Sequence, residues 1–251
     1  LSTLDLLAAK MGGARILGMR SSNSSSGSGV SLKLHKVFRF LTSLIPNVKI
    51  APSTEAAIYT FGEKEVESGK VIFIHNGLDI DAFSFDKNSR NEYRNQLNIS
   101  GKMVIGHIGR FNSQKNHTFI VDIFEELLKK IPNAVLMLVG NGDLQKEIEE
   151  KVRKINIEDK VLFLELRSDI PQLLSAMDVF LFPSLYEGMP NTVIEAQAAD
   201  LPCVIADTIT KEANITGNIT YVPLASEPKE WADKVYKSYR VSRNNMKGVF
   251  I

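Results

Sequence analysis

Short, uninterrupted apolar runs alternate along this chain with amphipathic segments of helical period, and that alternation limits the possible folds more than any other feature. The runs at 14–17, 48–51, 71–75, 103–108, 134–139, 161–164, 179–182 and 202–206 are four to six residues long and lack polar alternation. Strands of that character are buried on both faces, which is the condition of a parallel sheet covered by helices. Helical patterns are predicted at 116–130, 144–155, 170–176, 190–199 and 228–241. In the first of these, Phe119, Ile120, Ile123, Phe124, Leu127 and Leu128 recur at spacings of three and four and form one apolar stripe. Strands alternating with such helices predict an α/β fold built from βαβ units.

The turn sequence Asn76-Gly77-Leu78-Asp79, followed by a polar stretch over 86–101, places a boundary between residues 1–77 and 78–251. The second part has enough strands for a nearly complete doubly wound domain. The first part has two or three, which is few for an independent sheet. With Leu1 rather than Met at its start, it reads as the remainder of a truncated domain. The Ser/Gly run at 21–29 is open to two readings, a flexible linker or a loop presenting hydroxyls and amides to a ligand. Residues 33–45 place Leu34, Val37, Phe38, Leu41, Leu44 and Ile45 on one face, with Lys33, Lys36 and Arg39 off it. Such a helix either packs on a sheet or makes peripheral contact with an anionic membrane surface.

Charge and motifs remove several function classes. Thirty Lys and Arg against 29 Asp and Glu leave a net charge of +1, so no global excess draws the chain to nucleic acid. No P-loop and no G-x-G-x-x-G appear, and the histidines His35, His75, His107 and His117 lack the spacing of a zinc site. Asp79-Ile80-Asp81 is a weak metal pattern directly after a turn, so no metal is expected. Cys203, the only cysteine, lies in an apolar run and reads as a small buried hydrophobe. No apolar stretch approaches the roughly 20 residues of a membrane span and no signal peptide opens the chain, which predicts a cytoplasmic protein.

Two segments carry chemistry. In Val104-Ile-Gly-His-Ile-Gly-Arg-Phe-Asn-Ser-Gln-Lys-Asn-His117, an apolar strand ends at Gly109-Arg110 and a short loop delivers Lys115 just before a helix. Ligands of open α/β sheets bind beyond the carboxyl ends of the strands, so these cations stand where a diphosphate would sit. In Val179-Phe-Leu-Phe-Pro-Ser-Leu-Tyr-Glu187-Gly-Met-Pro-Asn-Thr-Val-Ile-Glu195, a buried strand leads through Glu187-Gly188 to Pro190 at the predicted first helical position. The amides near Asn191 and Thr192 make an anion site. Glu195 lies roughly 7–8 Å further along the helix, too far to share the same phosphate. Two acids so spaced suit a ligand with phosphate in its middle and hydroxyl-rich groups at both ends.

Taken together, Gly-Arg-x4-Lys-Asn-His at 109–117 and Pro-Ser-x2-Glu-Gly-Met-Pro-Asn-x3-Glu-Ala at 183–196 resemble the retaining glycosyltransferases of the two-Rossmann-domain GT-B superfamily. The group 1, or family 4, enzymes of capsular and exopolysaccharide synthesis are the nearest likeness. The resemblance extends through His75-Asn-Gly-Leu-Asp79, Val139-Gly-Asn-Gly142, Arg167-Ser-Asp-Ile-Pro171, Ala176-Met-Asp-Val-Phe180 and Ala198-Ala-Asp-Leu-Pro202, and covers about residues 50–225. It implies a GT-B fold in which 1–77 is a partial acceptor-side domain and 78–251 the nucleotide-sugar donor domain.

The resemblance also implies roles. Arg110 and Lys115 neutralise the donor diphosphate, and Glu187 meets the hydroxyls of the transferred sugar. Glu195 accepts from the ribose, and Leu166-Arg167 forms the edge that meets the base. The backbone at Gly109 and at Gly188, Met189, Pro190, Asn191 and Thr192 lies near phosphate and sugar. The reaction implied moves a sugar from a nucleotide sugar, a UDP-sugar by resemblance, to a glycan or lipid-linked acceptor with retention, needing neither cofactor nor metal. A nucleotide-sugar epimerase or hydrolase of the same fold, and an inactive nucleotide-binding fragment, stay open as alternatives. The chain departs from the family at Glu165 and Asp200, where glycine is common.

Overall fold

A computed structural model describes residues 2–21 and 40–240. The described residues fall into two compact units, one within Leu1–Gly77 together with Tyr186–Met189, and one within Leu78–Leu185 and Pro190–Ile251. Most of the Ser/Gly run and of the basic 33–45 segment lies outside the described residues.

In the smaller unit, α1 (Ser2–Met11) is followed by β1 (Gly18–Arg20), β2 (Val48–Ala51), α2 (Thr54–Phe61), α3 (Glu63–Glu67) and β3 (Val71–Phe73). The strands form a parallel sheet in the order β1-β2-β3. The run at 14–17 is not the first strand. The ladder begins four residues later, at Gly18, because Leu17 is held instead by Asn47, whose side chain accepts from the Leu17 amide at 3.0 Å. Gly18 and Arg20 are exposed on this edge, so no apolar run announces it. Ala51, Ala57, Phe61 and Val71 make the core, with Met19 and Val66 packed against it. Ser53 caps α2 by accepting from Ala56 N. A Lys49–Glu65 ion pair is largely buried, and the lysine hydrogen bond holds the Glu65 carboxyl below its usual range.

The larger unit contains α4 (Ile80–Phe83), α5 (Lys87–Gln96), β4 (Val104–Ile108), α6 (His117–Leu128), β5 (Val135–Val139), α7 (Gln145–Lys154), β6 (Val161–Leu164), α8 (Ile170–Ala176), β7 (Val179–Phe182), α9 (Asn191–Ala198), β8 (Cys203–Ala206), β9 (Ile219–Val222) and α10 (Pro228–Tyr239). Its six strands are parallel in the order β6-β5-β4-β7-β8-β9. In chain order from β4 this is 3-2-1-4-5-6, the doubly wound arrangement whose direction of winding reverses between β4 and β7. Every residue of β4, β5, β7 and β8 is buried. Only the edge strands β6 and β9 show partial exposure. Trp231 of α10 is fully buried, edge-on to Phe119 of α6.

The polar stretch at 86–101 is not a linker. Asp86 accepts from Asn88 N and Ser89 N and starts α5, whose arginines turn inward. Arg94 Nη1 approaches Asp178 Oδ1 at 3.2 Å and the Ala176 carbonyl at 3.1 Å, and Arg90 Nη1 donates to Met177 O at 2.8 Å. The helix therefore satisfies the last carbonyls of α8 and fixes the Asp178 carboxylate, whose Oδ2 accepts from Val104 N at 2.8 Å. Asp79, part of the weak metal pattern, caps α4 by accepting from Ala82 N. Asp200 adopts a left-handed φ of 53°, a region that glycine occupies freely and Asp more readily than most residues. Cys203 is buried. Among the described residues no helix is long and apolar enough to cross a membrane.

Candidate functional site

The chain turns sharply where β4 ends. Gly109 N donates to Val139 O at 3.0 Å, Phe111 N to Asn141 O at 2.9 Å, and Leu144 N to Phe111 O at 3.1 Å. These bonds lace residues 109–111 to the 140–144 loop after β5. The approach is so close that two positions exclude a side chain. A Cβ at Gly140 (φ +134°) would lie 2.3 Å from Gly109 O, and one at Gly142 (φ +156°) would lie 2.4 Å from Phe111 O. The Gly-Asn-Gly run belongs to the site because of this backbone approach.

Beside this turn opens a cleft of about 770 Å³ at the carboxyl ends of β4, β5 and β6. Of the residues singled out from sequence, Gly109, Arg110, Leu166 and Arg167 line it, joined by Asn141, Asp143 and Ile170. Arg110 is exposed, 3.9 Å from the still more exposed Asp143. Leu166 is 73% exposed, an apolar surface offered to the cleft without a covering side chain. Arg167 is held in a fork by Asp169, which also accepts from Tyr93 Oη at 2.8 Å. These donors, Arg167 foremost, bring the Asp169 carboxyl down to about 2.

Lys115 does not line the cleft but adjoins it. It ends a single 3-10 turn, Ser113–Lys115, started by Asn112, whose side chain accepts from Lys115 N at 3.1 Å. Asn116 then takes a left-handed φ of 57° and donates from its side chain to Pro183 O at 3.3 Å, while Leu185 N donates to Gln114 O at 2.8 Å. The loop that carries Lys115 is thus tied to the end of β7, across the reversal point of the sheet. The stem of Lys115 packs over Gly109, where an added Cβ would meet its Cδ at 3.1 Å, and its Nζ sits 4.6 Å above the centre of the Phe182 ring.

Beneath this loop lie two histidines that sequence reading took as structural or surface residues. His107 is fully buried, with Nδ1 2.9 Å from Leu181 O and no partner at Nε2. His117 is 2% exposed with neither ring nitrogen hydrogen-bonded. It stacks on Phe111 at 4.0 Å and meets His107 edge-on at 4.8 Å. Burial, reinforced by the nearby Lys115 charge, brings His117 down to about 4 and His107 well below the ordinary histidine value.

The acidic motif is divided by the fold. Glu187, Gly188 and Met189 belong to the smaller unit, where the Ser53 hydroxyl donates to Gly188 O at 3.2 Å. Pro190, Asn191, Thr192 and Glu195 belong to the larger unit. Pro190 is not the first helical residue: with φ −80° and ψ 94° it is extended and precedes α9, which starts at Asn191. Glu195 is half-buried, and loss of solvent raises its carboxyl pKa. Among the described residues no group of three His, Cys, Asp or Glu is disposed to hold a metal ion.

Comparison with known proteins places these features. The family of glycosyl transferases group 1 matches residues 102–240. EpsF of Bacillus subtilis is 33% identical over 242 residues, which cover 94% of this chain and 63% of that protein. The Escherichia coli UDP-Gal:alpha-D-GlcNAc-diphosphoundecaprenol alpha-1,3-galactosyltransferase is 32% identical over 160 residues, covering 62% of this chain and 40% of that enzyme. The chain therefore spans less than two thirds of the length of these relatives. Among solved structures, HepE of Anabaena, determined in complex with UDP and glucose, superposes with a TM-score of 0.82 at 21% identity, covering 98% of this chain and 68% of that one. That likeness establishes an α/β fold of the GT-B class. With the family match spanning more than half of its residues, the chain belongs to the glycosyl transferases group 1 family.

Proposed function

We propose that the larger unit binds a nucleotide-sugar donor, a UDP-sugar, for a retaining transfer to a glycan or lipid-linked acceptor hydroxyl. The observation that carries this reading is the cleft at the carboxyl ends of β4 to β6, which joins Arg110 to the Leu166-Arg167 edge in a member of a glycosyltransferase family. The bond between the anomeric carbon and the diphosphate oxygen breaks as the acceptor oxygen bonds to that carbon and releases its proton. Charge therefore develops on the leaving diphosphate, and fixed cations nearby stabilise it more in the transition state than in the ground state.

In this reading Arg110 and Lys115 supply those cations, and the exposed face of Leu166 with Arg167 receives the base. Glu195 accepts from the ribose hydroxyls, Glu187 from those of the sugar, and the backbone at 188–192 lies near sugar and phosphate. No metal or cofactor takes part. The UDP and glucose bound by HepE support a uridine donor, and the diphosphoundecaprenol acceptor named for the E. coli relative supports a lipid-linked one. In this reading such an acceptor brings catalysis to a membrane surface, on its cytoplasmic face.

Calorimetry with UDP, GDP and ADP tests the assignment, using Lys115→Ala and Glu195→Ala variants checked for folding. Binding of one nucleotide, weakened in both variants by about ten-fold or more, is expected, since a charge-assisted hydrogen bond contributes roughly 1.5–3 kcal/mol. Folded protein that binds none of the three refutes the donor reading.

A further inference from the structure

The donor-site reading gives Lys115 a task, and the structure sets an aromatic ring against its ammonium. The Phe182 ring is fully buried at the end of β7 and lies 4.6 Å beneath Lys115 Nζ. Phe182 also stacks on His107 at 5.6 Å, and His107 in turn meets His117. Opposite, the lysine stem lies where a Gly109 side chain would be, with Cδ and Cε 3.1 and 3.2 Å from a Cβ built there. Two hydrogen bonds tie the loop to the segment that follows β7, Asn116 Nδ2 to Pro183 O and Leu185 N to Gln114 O, so the lysine and the ring are carried on one frame.

We infer that Phe182 is a positioning residue: its ring face holds the Lys115 ammonium at the reversal point of the sheet, ready for the donor diphosphate. A lysine has four rotatable stem bonds and, unlike arginine, no rigid fork to orient it. An aromatic face attracts the ammonium electrostatically, most strongly where water is excluded. Anchoring the ammonium before the ligand arrives lowers the ordering cost of binding. The groups packed around the ring suit this task. His107 of β4 is the titratable side chain stacked on it, with His117 of α6 behind His107, and burial keeps both imidazoles neutral, so neither presents a competing cation. The inference rests on the donor-site reading above.

Phe182→Leu, which keeps an apolar side chain but removes the π face, is combined with Lys115→Met in a double-mutant cycle read by UDP calorimetry. Phe182→Tyr serves as the conservative variant, and Trp231 fluorescence checks that each protein is folded. The expected result is a five- to ten-fold weaker UDP affinity in Phe182→Leu, near-normal affinity in Phe182→Tyr, and less than a two-fold further effect of Phe182→Leu once Lys115 is Met. In the ligand-free protein, the Lys115 Hε protons lie upfield from the ring current and return to the ordinary lysine position in Phe182→Leu. If Lys115→Met weakens UDP binding but Phe182→Leu does not, or if Phe182→Leu acts equally in both backgrounds, the positioning role is overturned and the donor site stands. If wild-type protein binds no UDP, or Lys115→Met leaves its affinity unchanged, the role assigned to Lys115 fails and takes this inference with it.

Discussion

Alanine at Gly142 is the most searching test of the close backbone approach that shapes the cleft. Its Cβ would lie 2.4 Å from Phe111 O, 2.7 Å from Phe111 N and 2.8 Å from Phe111 C. Real Cβ atoms essentially never approach within 3.0 Å, so the 109–111 and 140–144 segments must part by about 0.6 Å, the difference between 3.0 and 2.4 Å. Two costs add. A φ of +156° is a region that non-glycine residues occupy only at roughly 1–3 kcal/mol. Separating tightly packed backbone costs roughly another 1–3 kcal/mol. A loss of about 3 kcal/mol is expected, with the Phe111–Asn141 and Leu144–Phe111 hydrogen bonds weakened first.

Gly217→Ala isolates the first cost, because Gly217 has φ +78° and a Cβ there meets nothing within 4 Å. That control should lose only about 1 kcal/mol. Urea unfolding followed by Trp231, the only tryptophan and buried in the larger unit, reports on the unit that carries both substitutions. With slopes of roughly 1–3 kcal/mol per molar, the two variants should separate by about 1 M in midpoint. Midpoints that coincide would show that the two loops are not in the close contact described, and the argument for a glycine-dependent cleft wall would fail.

Three further outcomes follow from the same structure. His117 has its pKa lowered to about 4 in the fold against about 6.5 unfolded, so the unfolded chain binds more protons between these values and stability falls as pH drops through that window. Wild-type protein should lose about 2 kcal/mol from this group between pH 7 and pH 5, and His117→Phe, which keeps the stack on Phe111, should flatten the urea midpoint against pH. Asp178→Ala strands the buried Arg94 guanidinium and the Val104 amide, so a loss of roughly 3–5 kcal/mol in the same urea assay is expected, with a loss under about 1 kcal/mol contradicting the network. Glu195→Gln removes a desolvated charge. Since burial raises this carboxyl pKa, its cost is present at neutral pH and vanishes on acidification, so the variant should be more stable than wild type at pH 7 by less than about 1 kcal/mol and equal to it near pH 4.

Apolar runs and helical stripes were legible because they are local patterns, in the fully buried β7 and also in the partly exposed β2 and β6. The runs at 48–51, 161–164 and 179–182 and the helix at 170–176 match β2, β6, β7 and α8 to the residue. Elements that owe their existence to their neighbours were not legible. α5 is polar along its length and is stabilised by Arg90 and Arg94 reaching the end of α8 and Asp178, partners more than 80 residues away. β9, whose first three residues are only half-buried, was missed altogether, and so was α2. The edge strand β1 was misplaced because exposure frees it from an apolar pattern.

The site divides the same way. Residue types and their place at a strand end marked Arg110 and Lys115, because chemistry with anions demands cations, whereas Leu166 and Arg167 were marked by the family resemblance alone. The sequence also determined the α/β class and the family, since strand burial and helix period are local and the motifs are contiguous. Tertiary structure alone decided the strand order 3-2-1-4-5-6, and with it the reversal between β4 and β7 that seats the Lys115 loop against Phe182. It alone assigned Glu187 and Glu195 to different units, made Gly140 and Gly142 walls of the cleft, and stacked His107 and His117 beneath it. Strand order and close approach are pairings between residues far apart in the chain, and no local preference encodes which distant partner each will meet.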